Sequence, residues 1–439
     1  MSEDNTNMKK ILILSYHFPP MNVIASQRAL GYANNFKKFG FEPTIVTYDW
    51  TKKAEDQYCL QREFDDRIIF EENDKYKVYR LPILKHKRSK LLSWFENSKL
   101  NKVGILFAWM FGHLDTTSLL LDYKLSERKF LKDHLSNYKY DVMLGIFSPH
   151  YHLSNCNWAG KKFRVKYVLD FRDLWNNRII HKKYKPNFTE KVQDSINSYY
   201  WKKWAKKASL LTITSSHWAW KLSKVTNKEV KVVFNGFESD GVLESIKTDC
   251  FEILHTGSIY NHQEFKVFFE GIRRFVKIKE PQRFKVRFIG AKQGTSEVSL
   301  NSVISVDDLK DEVFGLEEYV EFLPRVSHNE VKLRLEQASL LFLPSFPNSP
   351  GTFGGKIFEY LNAKVTILIV PNDHDVLDDL IHKTNSGVSK SNADELFEYL
   401  SFHYEKWEKG EQVTYAGNLE EILKFSRENQ TKKYASLLN

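Results

Sequence analysis

Cysteine is scarce in this sequence: Cys59, Cys156 and Cys250 are the three among 439 residues. They lie far apart and lack the paired spacing of a zinc site, which excludes a zinc module and a small disulfide-stapled fold. A chain of this length favours two domains with sizeable cores. We therefore expect reduced thiols, no zinc site and a cytoplasmic protein.

Long hydrophobic runs are missing as well. Residues 1–10 are polar, and the apolar run that follows is too short for a signal peptide or a membrane span. The aromatic run at 103–114 is also too short to cross a bilayer. Joined to the basic cluster at 85–90, it suits an interfacial segment, so that 85–114 would make peripheral contact with the inner face of the cell membrane. A core helix beside a solvated charge run fits the same pattern equally well.

Glycine is absent from the first predicted loop, 15–26, which lies between a strand at 11–14 and a helix at 28–39. The loop therefore lacks the dinucleotide-binding fingerprint, which disfavours a nicotinamide-dependent enzyme. Ligands of parallel sheets bind beyond the carboxyl ends of the strands, so the loop is still a candidate binding edge. His17 within it is either a site residue or a packed loop residue.

The charge balance is positive, because 65 Lys and Arg against 55 Asp and Glu give a net charge of +10. This excess favours an anionic partner, such as a phosphate, a nucleic acid or an acidic membrane surface. The basic residues are dispersed, and no nucleic-acid-binding motif accompanies them. We therefore expect no nucleic-acid partner.

What the sequence does contain is a strongly patterned stretch near its C-terminal third. A buried strand at 340–343 is followed by a loop rich in Pro, Ser and Gly, a short helix, and an apolar run at 365–370. A strand, loop, helix and strand in this order belong to a parallel sheet.

The start of that helix is a candidate anion site. Gly354 and Gly355 would present unpaired backbone N–H groups to a phosphate, and Lys356 adds a positive charge. Glu359, one helical turn on, could accept hydrogen bonds from hydroxyls attached to the same ligand. A capped helix start with an exposed Lys–Glu pair is the alternative interpretation.

A second cluster of polar residues follows the predicted strand at 167–169. Asp170, Arg172, Asp173 and Trp175 place two carboxylates, a guanidinium and an indole together at a carboxyl edge. Three charged residues are seldom found at the end of a buried strand unless they have a function, so these residues are candidates for orienting a polyhydroxylated acceptor. A salt-bridged turn is the alternative.

The alternation of strands and helices restarts after a polar stretch at 235–248, which predicts an inter-domain linker. We expect an N-terminal domain at 8–236 and a C-terminal domain at 249–410, each a doubly wound parallel sheet of the α/β class. Residues 415–439 read as one or two amphipathic helices.

In this order the motifs resemble those of bacterial glycosyltransferases of the GT-B fold. The chain is similar to family 4 of the retaining glycosyltransferases, and in particular to members that build capsule, O-antigen or exopolysaccharide. The resemblance rests on the loop at 15–28, the DFRD-x-W element at 170–175, the NGF turn at 235–238, the HTGSIY loop at 255–260, the loop at 325–328 and the stretch at 344–371.

The resemblance implies two Rossmann-like domains facing a cleft, with the helices at 415–439 packing back on the N-domain. It implies transfer of a sugar from a nucleotide-diphosphate sugar, for example a UDP- or GDP-sugar, to a glycan or lipid-linked acceptor. Retention of configuration and independence of metal are expected, with no metal ligands and no other cofactor. The implied donor residues are Gly257, Ser258, Arg325, Val326, Thr352, Phe353, Gly354, Gly355, Lys356 and Glu359.

On the other domain, the resemblance implies acceptor-side contacts from His17, Asn22, Arg28, His150, Arg172 and Trp175. The catalytic candidates are Asp170, Asp173, His17 and Lys356. Lys356 is the candidate for stabilising the leaving diphosphate.

Three positions depart from the family's pattern. Gly351 stands where the E-x7-E motif has its first Glu, residues 261–264 replace a segment that often carries Arg and Lys, and residues 22–25 replace a pair of glycines. The alternatives to a transferase are therefore a catalytically idle nucleotide- or sugar-binding relative that assists a polysaccharide assembly complex, or an epimerase or phosphorylase of the same fold.

Overall fold

The computed structural model describes residues 8–21, 24–50, 67–83, 121–174, 185–239, 248–260, 262–291, 306–411 and 413–439. The expected membrane segment at 85–114 lies outside the described residues, as do Asn22 and Trp175. The described chain divides into two compact units, with boundaries between Asn235 and Gly236 and between Ser426 and Arg427.

The first unit is built on an eight-stranded sheet in the order β3-β4-β2-β1-β5-β6-β7-β8. Every pairing is parallel except that of β3 with β4 at the edge. The strands are β1 (Lys9–Leu14), β2 (Phe41–Tyr48), β3 (Ile69–Glu72), β4 (Lys77–Leu81), β5 (Val142–Phe147), β6 (Lys166–Phe171), β7 (Leu210–Ile213) and β8 (Lys231–Val232). Central strands are buried on both faces, which is why they read as continuous apolar runs.

Helices of this unit connect the parallel strands. They are α1 (Ile24–Asn35), which continues as a 3-10 turn (Phe36–Phe39), α2 (Leu121–Asn137), α3 (Tyr151–Phe163), α4 (Phe188–Ala205) and α5 (Ser216–Thr226). Helix α4 begins with a capping box, in which Asn187 and Glu190 each satisfy the other's backbone N–H. The crossovers place the loops after β1, β5 and β6 at one edge of the sheet.

The second unit carries a six-stranded parallel sheet in the order β11-β10-β9-β12-β13-β14. Its strands are β9 (Phe251–Thr256), β10 (Phe284–Ile289), β11 (Val320–Leu323), β12 (Leu340–Pro344), β13 (Ile367–Val370) and β14 (Gly387–Ser389). Its helices are α6 (Lys266–Lys279), α7 (Lys310–Val313), preceded by a 3-10 turn (Val306–Leu309), α8 (His328–Gln337), α9 (Lys356–Ala363), α10 (Val376–Thr384), α11 (Ala393–Glu408) and α12 (Leu419–Leu423).

The core of the second unit is aromatic. Rings of Phe268 and Phe342 stack with centroids 3.7 Å apart, and Phe251, Phe275 and Phe284 are buried around them. Helix α6 supplies its apolar face to this core and keeps Lys277 and Lys279 in its last turn. The sheet is therefore a rigid support for the loops at its carboxyl edge.

The C-terminal segment differs from the expectation that 415–439 packs as a whole on the first domain. Helix α13 (Arg427–Leu438) belongs to the first unit, whereas α12 belongs to the second. The reason is local: the N–H of Asn418 donates to the Thr384 carbonyl at 2.7 Å, and Ile422 is buried in the second unit.

Among the described residues, we find no helix that combines the length and the apolar character needed to cross a bilayer.

Candidate functional site

The carboxyl ends of β9 and β12 meet at the point where the second sheet reverses its strand order. Strand β9 pairs with β10 on one side and with β12 on the other. In doubly wound sheets ligands bind at this switch point. The loop after β9 contains Gly257 and Ser258, and the loop after β12 leads through 345–355 into α9.

Lys356, the first residue of α9, reaches across to the loop after β9. A Cβ built on Gly257 would stand 2.7 Å from Lys356 Nζ and still closer to Lys356 Cε. The side chain of Lys356 therefore contacts the backbone of Gly257 and occupies the space that a side chain at position 257 would fill. Gly257 also has a φ of +93°, a conformation that L side chains rarely adopt.

The start of α9 combines this cation with open backbone donors. Helix α9 begins after Gly355, and no side chain caps it. Lys356 Nζ lies 3.3 Å from Glu359 Oε2, with both side chains partly exposed. Such a partly exposed ion pair contributes only about 0–1 kcal/mol to stability. Replacing Glu359 by an anionic ligand as the partner of Lys356 therefore costs little free energy. The arrangement is suited to a phosphate beside a group with hydroxyls.

A glycine turn occupies the position where the family's first Glu is missing. Gly351 has a φ of +80°, and its N–H donates to Asp375 Oδ2 at 2.5 Å. The Asp373 carboxylate in turn accepts from the N–H groups of Leu377 and Asp378 at 3.0 Å each. A Glu at 351 would be strained in this turn by about 1–2 kcal/mol. The loop is thus tied to Asp375, the residue that precedes α10, through the backbone N–H of residue 351.

The loops after β9, β10 and β11 converge beside this site. A Cβ on Gly290 would stand 3.7 Å from the Gly257 Cα and 3.8 Å from the Arg325 Cα. Arg325 is exposed and Val326 is half-buried. Burial raises the pKa of Tyr260, and the nearby positive charge of Arg325 partly offsets that rise. A cation and an aromatic ring therefore lie close to the Gly257 loop.

Neutral groups form the floor of the site. His255 is buried, with Nδ1 3.1 Å from the Phe342 carbonyl oxygen. Burial, and then the charge of Lys356, lowers the pKa of His255 to about 4, although its hydrogen bond with that carbonyl partly offsets the fall. The Thr256 N–H donates to the Tyr360 hydroxyl at 3.0 Å, which fixes α9 against β9. His255 is therefore neutral at physiological pH and adds no charge beside Lys356.

In the first unit, the structure brings His17, Arg172 and Asp173 to the carboxyl edge of the sheet. Arg172 Nε donates to Asp173 Oδ2 at 2.7 Å, so these neighbours form the salt-bridged turn named above as the alternative. Burial, and then the positive charge of Arg172, lowers the pKa of His17 to about 3. His17 is therefore neutral at physiological pH and half-buried beside a partly exposed ion pair.

Asp170 and Arg28 have a different place from the one expected of an acceptor site. Both are buried, and Arg28 donates to the two carboxylate oxygens of Asp170 at 2.8 and 2.7 Å. Thr212 adds a hydrogen bond to Asp170 at 2.6 Å, and Arg28 also donates to the carbonyls of Val233 and Phe234. These hydrogen bonds occupy the polar atoms of both side chains inside the core, which argues against contact of either side chain with a substrate.

His150 is likewise internal. The indole N–H of Trp201 donates to His150 Nδ1 at 3.0 Å, and burial lowers the pKa of His150 to about 3. The imidazole is therefore a neutral acceptor that orients Trp201, and the geometry argues against a direct acceptor contact.

The described residues contain no group of three or more His, Cys, Asp or Glu that could hold a metal ion.

No family model matches the sequence, and a search of the curated proteins finds no match. Comparison with solved structures does find similar folds. Over 98% of both chains, the protein superposes on a glycosyltransferase from Rickettsia africae with a TM-score of 0.60 and 13% identity. Sucrose-phosphate synthase from Thermosynechococcus elongatus gives 0.59 and 12% over 98% of both chains. The fold is GT-B.

A third GT-B neighbour is HepE from Anabaena, solved in complex with UDP-glucose. It matches over 98% of both chains with a TM-score of 0.55 and 13% identity. At such identities the likeness shows the fold alone. The expected class of two doubly wound parallel sheets is confirmed.

Two participants in the site were missed by sequence reasoning. Asp375, which ties down Gly351, lies 24 positions away in sequence, and its only local signal is an acidic residue just before a helix. Tyr260 lies within a motif that was recognised, yet it was not singled out. Neither contact has a spacing that a linear pattern can reveal.

Proposed function

We propose that the protein is a glycosyltransferase that moves a sugar from a nucleotide-diphosphate sugar to a glycan or lipid-linked glycan acceptor. The observation that carries the proposal is the contact of Lys356 with the Gly257 backbone, at the uncapped start of α9 and beside Glu359. The solved complex of the neighbour HepE with UDP-glucose supports a nucleotide sugar as the donor.

In this proposal the second unit binds the donor. Lys356 and the backbone N–H groups of Gly354 and Gly355 hold the diphosphate, and Glu359 accepts hydrogen bonds from the ribose. As the bond from the sugar to the diphosphate breaks, negative charge develops on the leaving oxygen. A fixed ammonium and the positive end of α9 stabilise that charge, which supplies the role that a divalent metal has in other transferases.

The remaining donor contacts extend along the same edge. Ser258 lies in the Gly257 loop, and Arg325 and Val326 lie in the neighbouring loop after β11. These residues would meet the base and the diphosphate. Thr352 and Phe353 precede the helix start and would meet the sugar, because the turn at Gly351 directs this part of the loop. The same proposal includes retention of configuration and a place in family 4. It also includes a bacterial surface polysaccharide, such as capsule or O-antigen, as the product, and peripheral attachment of the protein to the membrane.

In the first unit, the acceptor would contact His17, Arg172 and Asp173. A neutral His17 can donate to or accept from a sugar hydroxyl, and the Asp173 carboxylate can accept a hydrogen bond from a second one. Asp170 and Arg28 contribute only as a buried support for this edge.

A screen of nucleotide sugars by thermal shift, followed by transfer assays with the sugar that binds, tests the proposal. We expect the cognate donor to raise Tm for the wild type and not for Lys356→Ala, and EDTA to leave transfer unchanged. If no nucleotide sugar or nucleoside diphosphate raises Tm, the donor site is refuted.

A catalytically idle relative is the second candidate, since Gly351 removes a carboxylate. This candidate predicts a Tm rise with a nucleotide sugar but no transfer to any acceptor. Measured transfer would eliminate it.

A further inference from the structure

Two cations that form no ion pair within the described residues lie where α2 packs on α3. Lys124 and Arg128 are one helical turn apart on α2, so their side chains are neighbours. Both are half-buried. Burial lowers the pKa of Lys124 to about 8, with a further contribution from the charge of Arg128, and burial also lowers the pKa of Arg128.

The hydrogen bonds of this pair involve neutral groups. Arg128 donates to Asn155 Oδ1 at 2.7 Å and to Ser154 Oγ at 3.3 Å. Within the described chain, Lys124 Nζ has no hydrogen bond or ion pair. Glu127, the nearest carboxylate in sequence, turns inward, where its Oε2 lies 2.9 Å from His152 Nδ1. The charge of Glu127 offsets part of the fall in the pKa of Arg128, whereas no carboxylate in the described part of the chain acts on Lys124.

The surroundings add positive charge rather than remove it. Helix α3 contains no Asp or Glu and carries Lys161 and Lys162 in its last turn. The guanidinium of Arg128 and the ammonium of Lys162 lie 5.4 and 5.5 Å from the centroid of the Trp158 ring. Contacts with Trp158 and Asn155 hold the guanidinium in place before any ligand binds.

Two adjacent half-buried cations repel each other, and their partial desolvation increases the repulsion. A dianion removes this cost, whereas a single carboxylate would neutralise one charge of the two. The planar guanidinium can donate hydrogen bonds to two oxygens of a phosphate, and the flexible ammonium can donate to a third. We propose that Lys124 and Arg128 form a binding site for a phosphate ester, separate from the loops of the proposed donor site. The proposal goes beyond the proposed function and does not depend on it.

A phosphate ester can come from a soluble molecule or from a lipid headgroup, and two probes distinguish these sources. The full-length chain is titrated with glycerol 3-phosphate, and it is sedimented with phosphatidylcholine vesicles that contain or lack phosphatidic acid, whose headgroup is also a phosphate monoester. Saturable binding of glycerol 3-phosphate identifies a site open to soluble esters. Binding that requires phosphatidic acid in the vesicles identifies a headgroup site.

The decisive variants are Lys124→Gln and the double change Lys124→Gln with Arg128→Gln. Because Lys124 Nζ makes no hydrogen bond or ion pair with the described residues, we expect the single change to leave stability intact, which keeps the test valid if the double variant unfolds. A matched control is Lys202→Gln with Lys206→Gln, two exposed lysines with the same spacing near the end of α4. We expect at least about tenfold weaker binding in the Lys124 variants and less than a twofold change in the control.

Amine acylation gives a second readout. With its pKa near 8, Lys124 is about half neutral at pH 8, so it should react before Lys202. Glycerol 3-phosphate or the anionic vesicles should slow this reaction at least fivefold and leave Lys202 unaffected. If the wild type binds neither probe, or if Lys124→Gln binds as tightly as the control, the phosphate site is refuted.

Discussion

Gly257→Ala is the sharpest test of the donor site, because it alters Lys356 without removing it. The added methyl group would fall 2.7 Å from Lys356 Nζ, so the ammonium must leave its position over the loop. The backbone φ of +93° adds strain of about 1–2 kcal/mol for an L residue. For a unit of this size that strain lowers Tm by roughly 2–8 °C.

The catalytic consequence is larger than the loss of stability. If the ammonium stabilises the leaving diphosphate, its displacement should lower kcat/KM by about 10²–10³, the usual effect of removing one electrostatic group at a developing charge. Initial rates of nucleoside diphosphate release with the cognate donor give this number, and a Tm measurement on the same sample shows that the protein is folded.

A double-mutant cycle shows whether the alanine acts through Lys356. Lys356→Ala should cause a similar loss of activity with little change in Tm, since this side chain is partly exposed. The double variant should then be no slower than Lys356→Ala alone, because contacting residues are not additive. Full activity of Gly257→Ala, or a loss in the double variant equal to the product of the single losses, would refute the role given to this contact.

Three further outcomes follow from other parts of the structure. Asp170→Asn should lower the free energy of unfolding by about 3–5 kcal/mol, because it leaves Arg28 as an unpaired buried cation, and a Tm shift below 2 °C would contradict this. The pKa of His150 is about 3 in the folded chain against 6.5 ordinarily, so the unfolded state binds the extra proton between these values. The free energy of unfolding should therefore be at its full value above pH 6.5 and fall by about 1.4 kcal/mol per pH unit below it. In His150→Gln, the urea midpoint of unfolding should depend less on pH between pH 6 and pH 4. Glu359→Gln should raise the donor KM about tenfold and change kcat little, because ribose contacts are the same in the ground and transition states; an unchanged KM would remove Glu359 from the donor site.

Most of the sheet could be predicted because its strands are buried on both faces. The apolar runs predicted the strands at 11–14, 167–169, 340–343 and 365–370 to within two residues at each end. Strand β3 was missed: its four residues are exposed, so neither an apolar run nor an alternating pattern marks it. The buried strands follow from local composition, whereas an edge strand depends on its partner.

The candidate site shows a second limit. Lys356 and Glu359 are one turn apart on α9, so sequence spacing alone predicts their proximity. Asp170 was expected at an acceptor edge because a carboxylate is unusual at the end of a buried strand. Its partner Arg28 is 142 positions away, and burial of the pair depends on how α1 packs. A charged residue therefore has the same sequence signal whether it faces a substrate or a distant partner in the core.

Helix α13 has a consequence for the order in which the protein folds on the ribosome. Its Tyr434 is fully buried in the first unit and lies 3.0 Å from the Thr212 hydroxyl, and Gln430 accepts a hydrogen bond from the Phe234 N–H. A Cβ on Gly31 of α1 would stand 2.9 Å from Arg427, so the two helices pack closely. The N-terminal unit is thus synthesised first but completed last. During translation, the surface of the first unit that α13 covers stays exposed until the entire second unit has been synthesised.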